Sequence, residues 1–77
     1  MYYKQIEIAK FLVKHSPRWY RVASLAMTYE THEKVIRDWL NDLRKHGLIE
    51  LDNHGTIVRA THSALKTDFN QPLFSKA

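Results

Sequence analysis

A chain of 77 residues with 44% hydrophobic content, two Trp, four Tyr, three Phe and only two Gly and two Pro is one small folded domain, which excludes disordered and collagen-like classes. The absence of cysteine excludes disulfides, thiolate metal sites and a Cys nucleophile, and no apolar run approaches the ~20 residues that cross a bilayer. The formal net charge of +4 resides in residues 1–21, where Lys4, Lys10, Lys14, Arg18 and Arg21 face Glu7 alone; residues 22–47 hold four bases and four acids, and residues 48–77 three of each.

Along "YYKQIEIAKFLVKH", Lys4, Glu7, Lys10 and Lys14 recur at helical spacing, with Ile8, Ala9, Leu12 and Val13 largely opposite them. A first helix is expected here, ended by Pro17. "RWYRV" has room for a short strand or an extended linker. "ASLAMTYE" reads as a two-turn helix that buries Leu25, Ala26 and Tyr29. Thr31 or His32 then begins a third helix, with the Thr31 hydroxyl as the expected N-cap. Its stripe is Ile36, Trp39, Leu40 and Leu43, its last turn carries Arg44, Lys45 and His46, and Gly47 stops it. After Gly47 the period changes: "LIEL" and "TIVRA" flank the turn "DNHG", the pattern of a β-hairpin. "THSALKTDF" is expected to add a helical turn or two with Leu65 and Phe69 on one side. The tail then offers Leu73 and Phe74 as apolar anchors, which with Tyr2 and Tyr3 either close the core or meet a second copy.

The expectation is a mainly α domain with a small β-hairpin, in the order α-β-α-α-β-β plus a short C-terminal helix. It spans residues 1–77, with a core over about 4–65 and a tail over 66–77. The core should include Ile8, Leu12, Leu25, Ile36, Leu40, Leu43 and Ile49.

This order and its spacing resemble the winged helix-turn-helix superfamily, in particular the MarR-like and PapI-like small bacterial and phage regulators. The resemblance covers about residues 4–65 and rests on Leu25-Ala26 with Tyr29, on Ile36, Leu40 and Leu43, on Gly47-Leu48-Ile49, and on "ATHSAL". The chain departs from the pattern at Glu30, where the family often has glycine, and at Arg21 or Val22, where it has a capping Ser or Thr. The resemblance implies sequence-specific binding of double-stranded DNA by the third helix, as a small transcriptional or replication regulator in the cytosol or nucleoid, alone, as a homodimer or with a co-regulator protein.

On the face opposite the stripe, Lys34, Arg37, Asp38 and Asn41 are the candidate base readers: arginine suits guanine O6/N7 and asparagine adenine N6/N7. Arg18, Arg21, His32, Lys45, His54 and Arg59 are candidates for phosphate. The basic first segment suits a polyanion, or serves only solubility. The same third helix, with Glu33–Arg37 and Lys34–Asp38 at i,i+4, also suits a solvated face or a protein-interaction module. A third reading places single-stranded bases on "PRWYR". His15, His32, His46, His54 and His62 lack metal-ligand spacing. With no Gly-rich phosphate loop, HExxH or GxSxG, neither an enzyme nor a cofactor, metal, membrane or small-molecule site is expected.

Overall fold

In the computed structural model, which describes residues 1–74 and omits the side chain of Leu73, the first helix, α1, runs Tyr3–Lys14. Ile8, Ala9 and Leu12 are buried as their spacing requires, and so is Ile6. Gln5 is buried too, at 1% exposure. Its amide Nε2 donates to the Trp39 carbonyl at 3.2 Å and to Asp42 Oδ2 at 2.9 Å, while its Oε1 accepts from the Tyr2 amide at 3.1 Å. One polar side chain thus ties the start of α1 to the third helix with its hydrogen-bonding groups satisfied.

"RWYRV" forms a two-residue strand, β1 (Tyr20–Arg21), rather than a linker. It leads directly into α2 (Val22–Thr28), which buries Val22, Leu25 and Ala26. The helix ends in a Schellman arrangement, in which the Glu30 amide donates to the Met27 carbonyl at 3.2 Å and the Thr31 amide to the Ala26 carbonyl at 3.0 Å. Glu30 sits at φ +50°, so it adopts the left-handed conformation that glycine usually takes at this position.

Helix α3 (Glu33–Lys45) is capped by His32, not by Thr31. Thr31 already serves as the last residue of the α2 cap, and its hydroxyl donates to the Tyr29 carbonyl at 2.9 Å. His32 Nδ1 accepts from the Lys34 amide at 3.2 Å. Ile36, Leu40 and Leu43 are fully buried, and Trp39 packs at the core's margin beside the Tyr2 ring, 5.9 Å away. Gly47, at φ +75°, closes the helix with the same two-bond motif, since the Leu48 amide reaches the Leu43 carbonyl at 3.1 Å.

β2 (Ile49–Asp52) and β3 (Ile57–Ala60) form the hairpin, and β1 adds to the other edge of β3. The result is a three-stranded antiparallel sheet in the order β1-β3-β2. The turn occupies residues 53–56, one position later than "DNHG", because Asp52 still pairs with Ile57. Val58 and Ala60 face the core, while Ile57 and Arg59 alternate to the half-exposed outer side. α2 packs on α3, and α1 lies across both α3 and β3. All seven expected core residues are buried, including Leu25 and Ile49 at 2% exposure.

The segment after the hairpin differs from expectation. Ser63–Lys66 is a single 3₁₀ turn in which Leu65 is 46% exposed, and Phe69 packs against Phe74 with ring centroids 5.0 Å apart. The Thr67 hydroxyl donates to the Ser63 carbonyl at 3.0 Å, the acceptor that a continuing α-helix would offer to a backbone amide, and Thr67 itself is extended. A second 3₁₀ turn, Pro72–Phe74, brings Phe74 into the core at 4% exposure. Phe74 therefore closes the core rather than meeting a second copy, whereas Tyr2 and Tyr3 are exposed. The expectation for the Leu73 side chain falls outside the described residues.

Candidate nucleic-acid interface

The 3.6-residue period that buries Ile36, Leu40 and Leu43 turns Lys34, Asp38, Asn41 and Lys45 outward, and all four are exposed. Lys34 Nζ lies 3.4 Å from Asp38 Oδ2, an exposed i,i+4 pair worth only about 0.3–0.5 kcal/mol. Asn41 Oδ1 accepts from Arg44 Nη2 at 3.5 Å, a long bond that leaves its amide group available. At the start of the helix, the cap bond occupies His32 Nδ1 and thereby selects the tautomer with its proton on Nε2.

Arg37 is placed differently. Its Nε and Nη2 donate to Glu33 Oε2 at 3.2 and 2.9 Å, and its Nη1 donates to the Gly55 carbonyl at 2.9 Å. The side chain is 41% exposed. It joins α3 to the hairpin turn, 18 residues further along the chain. That turn strings three residues with positive φ together: Asn53 at 51°, His54 at 59° and Gly55 at 78°. Within the turn, the Asn53 amide donates to Asp52 Oδ1 at 2.8 Å and the Thr56 hydroxyl to the Asn53 carbonyl at 2.7 Å, and the Val22 amide donates to the Thr56 carbonyl at 2.9 Å.

Between the turn and the first turns of α2 and α3 lies a cleft lined by Arg21, Ala23, Glu33, Arg37, Asn53, Thr56 and Ile57. Two of the ten candidate residues, Arg21 and Arg37, meet there, with His54 exposed on the adjoining turn. A smaller hollow, lined by Val22, Arg37, Leu40, Asn41, Leu51 and Gly55, shares Arg37 with it.

Arg18 and Arg59 stand apart from this cleft. The Arg18 guanidinium lies 5.3 Å from the centre of the Tyr20 ring. Arg59 lies 4.5 Å from the Trp19 ring, bonds Glu50 at 3.1 Å, and lines a separate depression with Val13, Pro17 and His62. One face of Trp19 is therefore covered by a cation, and Tyr20 packs edge-on against Phe11. These contacts limit the rings that "PRWYR" could offer to single-stranded bases. Lys4, counted in the basic first segment, donates to the Tyr29 carbonyl at 3.0 Å, a favourable place for a cation at the C-terminal end of α2.

Sequence reasoning missed Gln5, Gly55 and Thr56. The Glu33–Arg37 spacing was visible, but nothing in the sequence connects Arg37 to a carbonyl in the turn. Among the described residues, no group of His, Asp and Glu is arranged to hold a metal ion, and no helix is long and apolar enough to cross a membrane. Comparison with family models, curated proteins and solved structures gave no match.

Proposed function

We propose that this chain is a winged helix-turn-helix domain that binds double-stranded DNA sequence-specifically, as a small transcriptional or replication regulator. The observation that carries the reading is the outward face of α3, exposed along its length beside the hairpin turn, with Arg21 in the cleft between them. The sheet order β1-β3-β2 and the tight α2–α3 connection also support it. A helix presented in this way fits the major groove, with the turn against the flanking backbone.

In this reading Asn41 presents a donor and an acceptor to an adenine edge, with Lys34 and Asp38 beside it. Arg21, His32, Lys45 and His54 contact phosphate, which orients the domain without reading sequence. Arg18 and Arg59, the other two candidates for phosphate, lie against the Tyr20 and Trp19 rings, away from this cleft.

Titrating the protein against a randomised duplex pool at two salt concentrations tests the proposal. The expected result is enrichment of one sequence, with Asn41→Ala relaxing the choice at one base pair by about 1–3 kcal/mol. Arg21→Ala should weaken all sequences alike and lower the salt slope by about one unit. Enrichment of no sequence would refute DNA reading.

A protein-interaction module is the second reading. A shallow groove lined by Tyr2, Gln5, Val35, Asp38, Trp39 and Asp42 favours it, because it puts aromatic surface and two carboxylates on the α1 side of α3.

A further inference from the structure

We infer that Arg37 is a positioning residue that fixes the hairpin turn against α3, and not a reader of bases. The inference rests on the DNA reading proposed above for its functional consequence, but its structural part stands without DNA. A guanidinium recognises guanine through two parallel N–H groups along one edge. The Nε/Nη2 edge of Arg37 is already on Glu33, at 3.2 and 2.9 Å. At the other end, Nη1 already donates one of its two N–H groups to the Gly55 carbonyl at 2.9 Å, which ties the guanidinium to the turn.

Gly55 ends the run of three positive-φ residues, two of which are not glycine. Such a turn is a costly backbone conformation and persists only where its surroundings hold it. The bond from Arg37 does so at its last residue, and Glu33, one turn earlier on the same helix, holds the guanidinium in orientation. The space around Gly55 agrees: a Cβ built there would stand 3.6 Å from Arg37 Nη1, so the guanidinium packs directly on this backbone. One side chain thereby ties the α3 face to the turn that carries His54. Two surfaces that must meet one duplex together are held in register by Glu33, Arg37 and Gly55.

The test uses the intact protein and the variants Arg37→Gln and Arg37→Lys. Amide hydrogen exchange is read at Gly55 and Thr56, whose amides donate to the Asp52 and Asn53 carbonyls, and at Leu40 and Leu43 inside α3. Arg37→Gln should speed exchange in the turn by about tenfold and leave α3 unchanged, the size expected from losing a charge-assisted hydrogen bond. Arg37→Lys should restore only part of the protection, because one ammonium cannot hold Glu33 in a fork and reach Gly55 together.

Against the duplex pool, Arg37→Gln should weaken every sequence by a similar factor and keep the order of preference. Unchanged exchange in the turn overturns the inference, as does loss of preference confined to one base pair. Should the wild type enrich no sequence, DNA reading fails, and the exchange result alone decides the role of Arg37.

Discussion

Replacing Glu30 by glycine should stabilise the protein. Glu30 holds φ +50° at the position that closes α2, where the Thr31 and Glu30 amides complete the cap. Gly47 does the same for α3 at φ +75° with the same bond pattern. A side chain in the left-handed region costs about 1–2 kcal/mol. Glycine removes that strain but loses more freedom on folding, a cost of about 0.5–1 kcal/mol. The difference leaves a gain of about 0.5–1 kcal/mol. Removing an acid from the negative end of the α2 dipole acts in the same direction, by about 0.3 kcal/mol for an exposed group. For a domain of this size, the sum should raise Tm by roughly 3–10 °C. Thermal and urea unfolding measure it, and the urea slope should stay constant if only stability changes. Glu30→Gln isolates the charge and should recover only the smaller part. Gly47→Ala provides the mirror experiment: an added Cβ would meet nothing within 4 Å, so its expected net loss of about 0.5–1 kcal/mol comes from the backbone alone. A Tm for Glu30→Gly at or below that of the parent would refute the argument.

Leu40→Ala, in a fully buried position, should cost about 2–5 kcal/mol, much of the stability of a small domain, as measured by urea unfolding. Gln5→Leu keeps the volume but removes the acceptor of the Tyr2 amide and the donor shared by the Trp39 carbonyl and Asp42 Oδ2; a loss of about 1–3 kcal/mol is expected, with faster exchange at the Tyr2 amide. Burial and, secondarily, the Glu7 carboxylate raise the Tyr29 phenol above its ordinary value of 10.0. The unfolded chain therefore releases this proton first, so the stability is fully present below about pH 10 and declines as pH rises through the folded value. Comparing Tyr29→Phe with the parent across alkaline pH isolates this contribution, which the variant should lack.

The long elements were legible because their periods are unambiguous. Ile36, Leu40 and Leu43 can share one face only in a helix, and Gly47 supplies the stop that the polar residues around it cannot. The hairpin declared itself by a change of period flanking "DNHG". Two kinds of feature were not legible. Gln5 is polar, so any pattern of apolar residues assigns it outward; its burial depends on two acceptors on α3, more than thirty residues away. Thr31 and His32 are adjacent and both can cap. The choice between them was made by the end of α2, which used Thr31 first. The candidate site divided along the same line. Lys34, Asp38, Asn41 and Lys45 follow from the wheel alone, whereas the commitment of Arg37 to Gly55 and of Arg59 to Trp19 depends on tertiary neighbours.

The placement of charge bears on affinity and specificity separately. Of the five bases in residues 1–21, Lys4 caps α2, Lys10 lies 3.8 Å from Glu7, and Arg18 lies beside Tyr20; Arg21 lines the cleft. The outward face of α3 pairs Lys34 with Asp38, and Glu33 balances Arg37 at its edge. With those pairs formed, Lys45 at the end of α3 and Arg21 in the cleft are left to meet phosphate, so a duplex gains only a modest contribution from charge. Under the DNA reading, that weakens binding to arbitrary sequence and to a matched site by a similar factor, because both draw on the same neutralised phosphates; the base contacts add to the matched site alone. A face with more unpaired lysines would bind both kinds of site more tightly without adding sequence information. Under that reading, near-balanced charge on α3 does not in itself count against a DNA reader: it lowers affinity but leaves the ratio between specific and non-specific sites, the quantity that governs occupancy among many competitors, to the base contacts.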